Sequence, residues 1–160
     1  MASNAKVRTL AGTVGAGAAA LLLAYVPQFE GMILRGYKDP IGIVTACAGH
    51  TKTAVLGRPY TQAECTLLLQ DDLIEHADGV LSCTPQLAGH SNQTAAMVSF
   101  AYNVGVGAYC GSTAAKLVRS GDLVGACNQL PRWTYAGGKQ LTGLVKRRTV
   151  ERDLCLSDLR

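Results

Sequence analysis

A chain of 160 residues, 48% hydrophobic and 16% charged, is long enough for one buried core and too apolar to be an extended disordered protein. Its formal charge of +4 favours an anionic partner, such as an envelope polymer, a membrane surface or nucleic acid, without choosing among them. Six cysteines, an even number, suit disulfides in an oxidising compartment better than free cytosolic thiols, and residue order selects none of the about 15 possible pairings.

Met1 to Arg8 is polar, with Lys6 and Arg8 as its only charges. Thr9 to Val26 then runs about 18 residues without a charge, just enough to cross a bilayer as a helix. Cations ahead of the apolar run predict an N-in, C-out orientation. The run is weakly apolar, because about half of it is Gly or Ala. Leu10, Val14, Leu21, Leu22, Leu23 and Val26 supply roughly −2 to −4 kcal/mol before the small residues subtract from it. A cleaved signal peptide fits the length, but Ala24-Tyr25-Val26-Pro27 is a poor cleavage site. A core helix is weakened by Gly12, Gly15 and Gly17. A retained anchor that can leave the bilayer fits all of these features.

Beyond the segment, Asp39-Pro40 breaks the chain, and Ile41 to Thr45 is β-prone within a turn-and-strand region from Tyr37 to Thr51. Thr61-Gln62-Ala63-Glu64 is a capping box that opens a helix through Leu67, Leu68, Leu69, Leu73 and Ile74. Ser91 to Tyr102 places Ala95, Val98 and Tyr102 at helical spacing and ends near Gly105. A short helix over Thr113 to Arg119 stops at Ser120-Gly121, and Asp122 caps another that Pro131 terminates. Gly143 to Leu156 reads as a last helix with Leu144, Val145 or Val150, and Leu154 inward, and with Arg147 and Glu151 spaced as an i,i+4 pair. Helices around one small β-region make an α+β domain dominated by helix.

Acidic residues are scarce, so their positions are informative. Glu30 stands among Phe29, Met32 and Ile33, where desolvation would favour the protonated acid, while Asp39, beside Lys38 and a turn, would stay ionised. Two carboxyls flanking a turn-forming passage could face each other across a cleft, as glycosidic hydrolysis needs: one donates a proton, the other handles water. On residue types alone, two surface carboxylates are the commoner explanation.

The pattern Glu30-x8-Asp39-x5-Thr45 resembles the catalytic signature of the phage-type lysozymes, glycoside hydrolase family 24. The resemblance continues through Tyr37-Lys38-Asp39, Ala48-Gly49-His50-Thr51, Ser99 to Gly105, Ser112-Thr113, Arg132 to Lys139 and Gly143 to Arg148. It therefore covers nearly everything from Phe29 to Leu156, in order. With its apolar N-terminus, the chain is similar to the signal-anchor-release endolysins of lambdoid phages.

That resemblance implies an α+β lysozyme fold, with residues 1–26 as anchor segment and 27–160 as catalytic domain. It also implies hydrolysis of the β-1,4 bond between N-acetylmuramic acid and N-acetylglucosamine in peptidoglycan. Glu30 would be the general acid, and Asp39 and Thr45 would position the attacking water, with inversion at the anomeric carbon. Tyr37, His50 and Trp133 are candidates for sugar contacts, although Trp133 and Tyr135 could equally pack into the core. No cofactor, metal or nucleic acid is expected. The chain should act as a monomer, held at the host inner membrane through residues 9–26 and then released to the periplasm.

Other motifs are weaker. Cys47-x2-His50 lacks a second spaced pair for a metal, so a disulfide half and a structural His are expected. His76 and His90 read as surface residues, and Gly105-Val106-Gly107 as a turn between helices. Lys146-Arg147-Arg148 with Arg152 reads as a solvated helix face. The pairing expected for the cysteines is Cys83–Cys110 and Cys127–Cys155, leaving Cys47–Cys65. None lies in the apolar segment or near Glu30, which leaves membrane topology as the means of control. An anchored chain would hold Glu30 away from its catalytic position, and release would let the segment refold against the domain.

Overall fold

The computed structural model describes residues 7–159, so Lys6 of the charged flank lies outside it. Within this structure the apolar segment is two helices folded into the core, α1 (Leu10–Val14) and α2 (Ala16–Glu30). They part at Gly15, whose φ of 88° is open to glycine and costly for other residues. Thr9 caps α1 by accepting from the Gly12 amide at 3.0 Å. Leu10, Ala18, Ala19, Leu22 and Val26 are all buried. The small residues that weakened the segment as an anchor let α2 lie close to its neighbour: a Cβ on Gly17 would come within 3.0 Å of Ser91 Oγ. Among the described residues, no helix is long and apolar enough to cross a membrane. Helix α2 continues unbroken across residues 26 and 27 to Glu30, so no joint separates the apolar segment from the residues that follow it.

Strands β1 (Ile33–Lys38) and β2 (Val44–Cys47) form an antiparallel hairpin with Tyr37 opposite Thr45. The strand expected over 41–45 begins later, because Asp39 Oδ1 accepts from the amides of Ile41 at 3.0 Å and Ile43 at 2.8 Å and draws them into the turn. The capping box forms as expected and opens α3 (Gln62–Cys83), a helix of 22 residues. A 3-10 turn at Pro85–Leu87 leads into α4 (Ser91–Val104), whose residues from Gln93 to Ala101 are all buried. Packed between α2, α3 and α8, α4 is the central helix.

Short helices α5 (Val106–Cys110), α6 (Thr113–Arg119) and α7 (Leu123–Cys127) follow, then a two-residue hairpin of β3 (Tyr135–Ala136) and β4 (Lys139–Gln140), and finally α8 (Thr142–Leu156). Gly105 makes the turn between α4 and α5. Helix α7 ends at Cys127, and Pro131 sits inside a separate 3-10 turn at Leu130–Arg132, so it does not stop that helix. The buried face of α8 also differs from the one expected. Val145 and Val150 are exposed and Leu144 and Leu154 half-buried, while Arg147, Arg148, Glu151 and Cys155 point inward. These charges are buried because they neutralise one another, which a hydrophobic pattern cannot reveal.

The three disulfides are Cys47–Cys65, Cys83–Cys110 and Cys127–Cys155, matching the expected pairs, with Cα separations of 5.1, 5.8 and 5.6 Å. They close loops of 18, 27 and 28 residues, and each removes unfolded-state freedom to the extent of roughly 3 kcal/mol.

Candidate active site

Glu30 is the last residue of α2, and three other parts of the fold converge around it. Its Oε1 accepts from Arg147 Nη1 of α8 at 2.5 Å. Its Oε2 faces Gly49, where an added Cβ would stand 3.4 Å away; Gly49 turns with φ of 80° just past β2. Helix α4 supplies Tyr102, whose hydroxyl donates to the Ala48 carbonyl at 2.8 Å and so pins that turn. Burial pushes the Tyr102 phenol well above its ordinary value, and the charges of Asp72 and Glu30 add to the effect.

Two depressions meet at this carboxylate. One, of about 550 Å³, lies between α2, α4 and α8 and is lined by Phe29, Asn103, Leu141, Leu144 and Arg147 among others. The second, of about 300 Å³, lies between the Gly49 turn and α3 and is lined by Lys52, Asp72, Glu75, His76 and Tyr102 among others. Glu30 and Asn103 border both, so one cleft passes on either side of Glu30. Asp39 and Thr45 line neither depression; they sit with Tyr37 on the adjoining hairpin. There Asp39 is half-buried, and Thr45 is buried with its Oγ1 donating to the Ile43 carbonyl at 3.1 Å.

The apolar shell expected around Glu30 is replaced by an ion pair. Its side chain is 22% exposed, and the Phe29 ring covers the Arg147 guanidinium, 4.8 Å away. Arg147 also donates from Nε to Glu151 at 2.9 Å and from Nη2 to the Ser99 carbonyl at 2.9 Å. Arg148 donates to the same Glu151 oxygen, to Asn103 Oδ1 and to the Trp133 carbonyl. Arg147 and Arg148 therefore do not belong to a solvated face, although Lys146 and Arg152 remain exposed. Burial pushes the Glu151 carboxyl up and the Arg148 guanidinium down, and their mutual attraction opposes both shifts.

The sequence model of the family described as phage lysozyme matches residues 27–151. The chain belongs to the phage lysozyme family. This lysozyme is 48% identical over 130 residues to a protein of Bacteriophage PS119 named SAR-endolysin, covering 79% of this chain and 76% of the relative. It is 40% identical over 158 residues to the SAR-endolysin of Enterobacteria phage P21, covering 93% and 94%. Its fold resembles the crystal structure of the active form of P1 phage endolysin Lyz, with a TM-score of 0.79 at 24% identity over 92% of this chain and 87% of the other. The secreted inactive form of that P1 protein is less similar, with a TM-score of 0.59 at 20% identity over 92% and 97%.

Other residues of this lysozyme singled out from the sequence fall differently. His50 is buried, its Nδ1 bonded to Asp72 Oδ2 at 2.8 Å and its Nε2 to Thr53 Oγ1 at 2.7 Å. With both ring nitrogens held, it pins the end of the hairpin to α3. Trp133 is half-buried, packed edge-on to Phe100 at 5.2 Å, and lines neither depression; Tyr135 is exposed on β3.

His76, read as a surface residue, is half-buried in the cleft wall. Its Nδ1 meets the Asp72 carbonyl at 2.7 Å, and its ring packs on Tyr102 at 4.8 Å. No sequence signal marks it, because its cleft position depends on α4 packing against α3. Cys47 is consumed by its disulfide, and among the described residues no group of three His, Cys, Asp or Glu side chains could hold a metal ion.

Proposed function

We propose that this lysozyme is an endolysin that hydrolyses the β-1,4 bond between N-acetylmuramic acid and N-acetylglucosamine in peptidoglycan, with Glu30 as general acid. The observation that carries this reading is that, among the described residues, Glu30 is the one carboxylate bordering both depressions. A polymer threaded along the cleft would cross it at one glycosidic oxygen. Glu30 would give that oxygen its proton as the bond to the anomeric carbon breaks. Asp39 and Thr45, on the hairpin beyond, would hold and activate a water for attack on the opposite face of the sugar. Inversion follows if the two carboxyls stand about 6.5–9.5 Å apart around that water.

Before release, residues 9–26 would span the inner membrane with the N-terminus inside, and the domain would reach the periplasm as a monomer. The names of the relatives support this order of events.

The test is Glu30→Gln, assayed by clearing of purified cell walls with thermal unfolding measured in parallel. Clearing should fall at least about 100-fold, the scale of a lost general acid, with the fold retained. A folded Glu30→Gln protein that clears walls at the wild-type rate refutes the assignment. The anomeric form of the first product, read by proton NMR, decides between inversion and retention.

A further inference from the structure

Four charged side chains meet beneath the cleft. Arg147 reaches Glu30 with Nη1 and Glu151 with Nε, and Arg148 donates to the same Glu151 oxygen. Two cations thus face two anions in a region where Arg148 and Glu151 are each 1% exposed. A general acid must hold a proton before it can give one, and a guanidinium beside a carboxyl favours its ionised form. Glu151 lies behind both guanidiniums and lines neither depression, so no sugar in the cleft would touch it.

We propose that Glu151 is a positioning residue for the reaction: it aims Arg147 at Glu30, and its charge offsets the arginine pair so that Glu30 can carry its proton. This inference rests on reading Glu30 as the general acid. When Glu30 is neutral, Glu151 is the anion that keeps the buried arginines from standing uncompensated. Without Glu151, two guanidiniums would share one carboxylate, and that carboxylate would resist protonation. The other charged or titratable groups lining the cleft around Glu30 are Asp72, Glu75 and His76 from α3, Lys52 from the loop before it, Tyr102 from α4 and Lys146 from α8. All six stay the same in variants at positions 148 and 151, so they cannot produce a difference between such variants.

The experiment is the pH–rate profile of hydrolysis of purified sacculi by Glu151→Gln, Arg148→Gln and the double variant. Glutamine keeps the oxygen that accepts from both arginines, and its NH2 group takes the place of Oε2, which is buried without a hydrogen-bond partner among the described residues. Removing the negative charge should move the alkaline limb down by about one pH unit, and near neutral pH kcat should fall about tenfold with KM unchanged. Removing the positive charge in Arg148→Gln should move the limb up, and the double variant should return it to within a few tenths of wild type.

A merely structural role would lower the thermal midpoint and the amplitude without displacing the limb. Limbs that stay in place, or that move in the same direction in both single variants, overturn the inference. Should Glu151→Gln not fold, the upward shift in Arg148→Gln and its reversal in the double variant decide the matter. An active Glu30→Gln protein would instead sink the reading of Glu30, whereas an inactive one with unmoved limbs in the other variants sinks only the role of Glu151.

Discussion

Replacing Gly15 and Gly17 together by Leu sets the docked arrangement of α1 and α2 against the bilayer. Gly15 holds φ of 88° and ψ of 156°, a region that costs a residue with a Cβ roughly 1–3 kcal/mol. At Gly17 a Cβ would lie 3.0 Å from Ser91 Oγ and 3.3 Å from Ser91 Cβ, so a leucine overpacks the contact with α4 by roughly 1–3 kcal/mol. The docked form therefore loses roughly 2–6 kcal/mol, while each leucine favours a membrane helix by roughly 0.3–0.6 kcal/mol. Even the lower end shifts the balance toward the anchored form about 30-fold, since 1.4 kcal/mol is tenfold.

The assay is fractionation of expressing cells at intervals, scoring membrane-bound and soluble protein alongside the fall in optical density. Ala20→Leu is the control. Ala20 is exposed on α2, so that change adds an apolar side chain without backbone strain or a clash with Ser91. The glycine variant should stay in the membrane and delay lysis far more than the control. Wild-type lysis by the glycine variant, or an equal delay from Ala20→Leu, would refute the reasoning.

Two further outcomes concern stability. Replacing Cys127 and Cys155 by Ala opens a 28-residue loop and should cost about 3 kcal/mol, read from the denaturant midpoint of the oxidised protein. Tyr109 is fully buried against Thr84, and burial pushes its phenol up to about 12. The folded chain then keeps a proton that the unfolded chain gives up near pH 10, so the stability from this group is intact below about pH 10 and is lost as the pH rises through about 12. Denaturant midpoints measured across that window should fall less steeply in Tyr109→Phe than in the wild type.

What the sequence discloses here is local or periodic. The Thr61 capping box needs only four adjacent residues, and the Asp122 cap and the Gly121 stop are equally short-range. The buried face of α8 was not legible, because Arg147 is stabilised by Glu30, 117 residues away, and apolar periodicity pointed to Val145 or Val150. The same separation hid the true neighbour of Glu30. His50 looked like a site residue because it stands in the hairpin motif, but the motif does not show that Asp72 and Thr53 occupy both its nitrogens. Apolar residues from Thr9 to Val26 are equally suited to lipid and to a protein interior, so composition alone left both destinations open. The docked one became visible only with the helix break at Gly15.

The first disulfide begins at Cys47, and every cross-link lies downstream of α2. Residues 7–46 therefore join the interior with no covalent tie, while the rest is stitched at three places. Mechanical or thermal peeling should start at this loose leading end, ahead of the three separately closed loops. The helix that bears Glu30 is thus held by packing and by its ion pair with Arg147, with no disulfide to fix it in place.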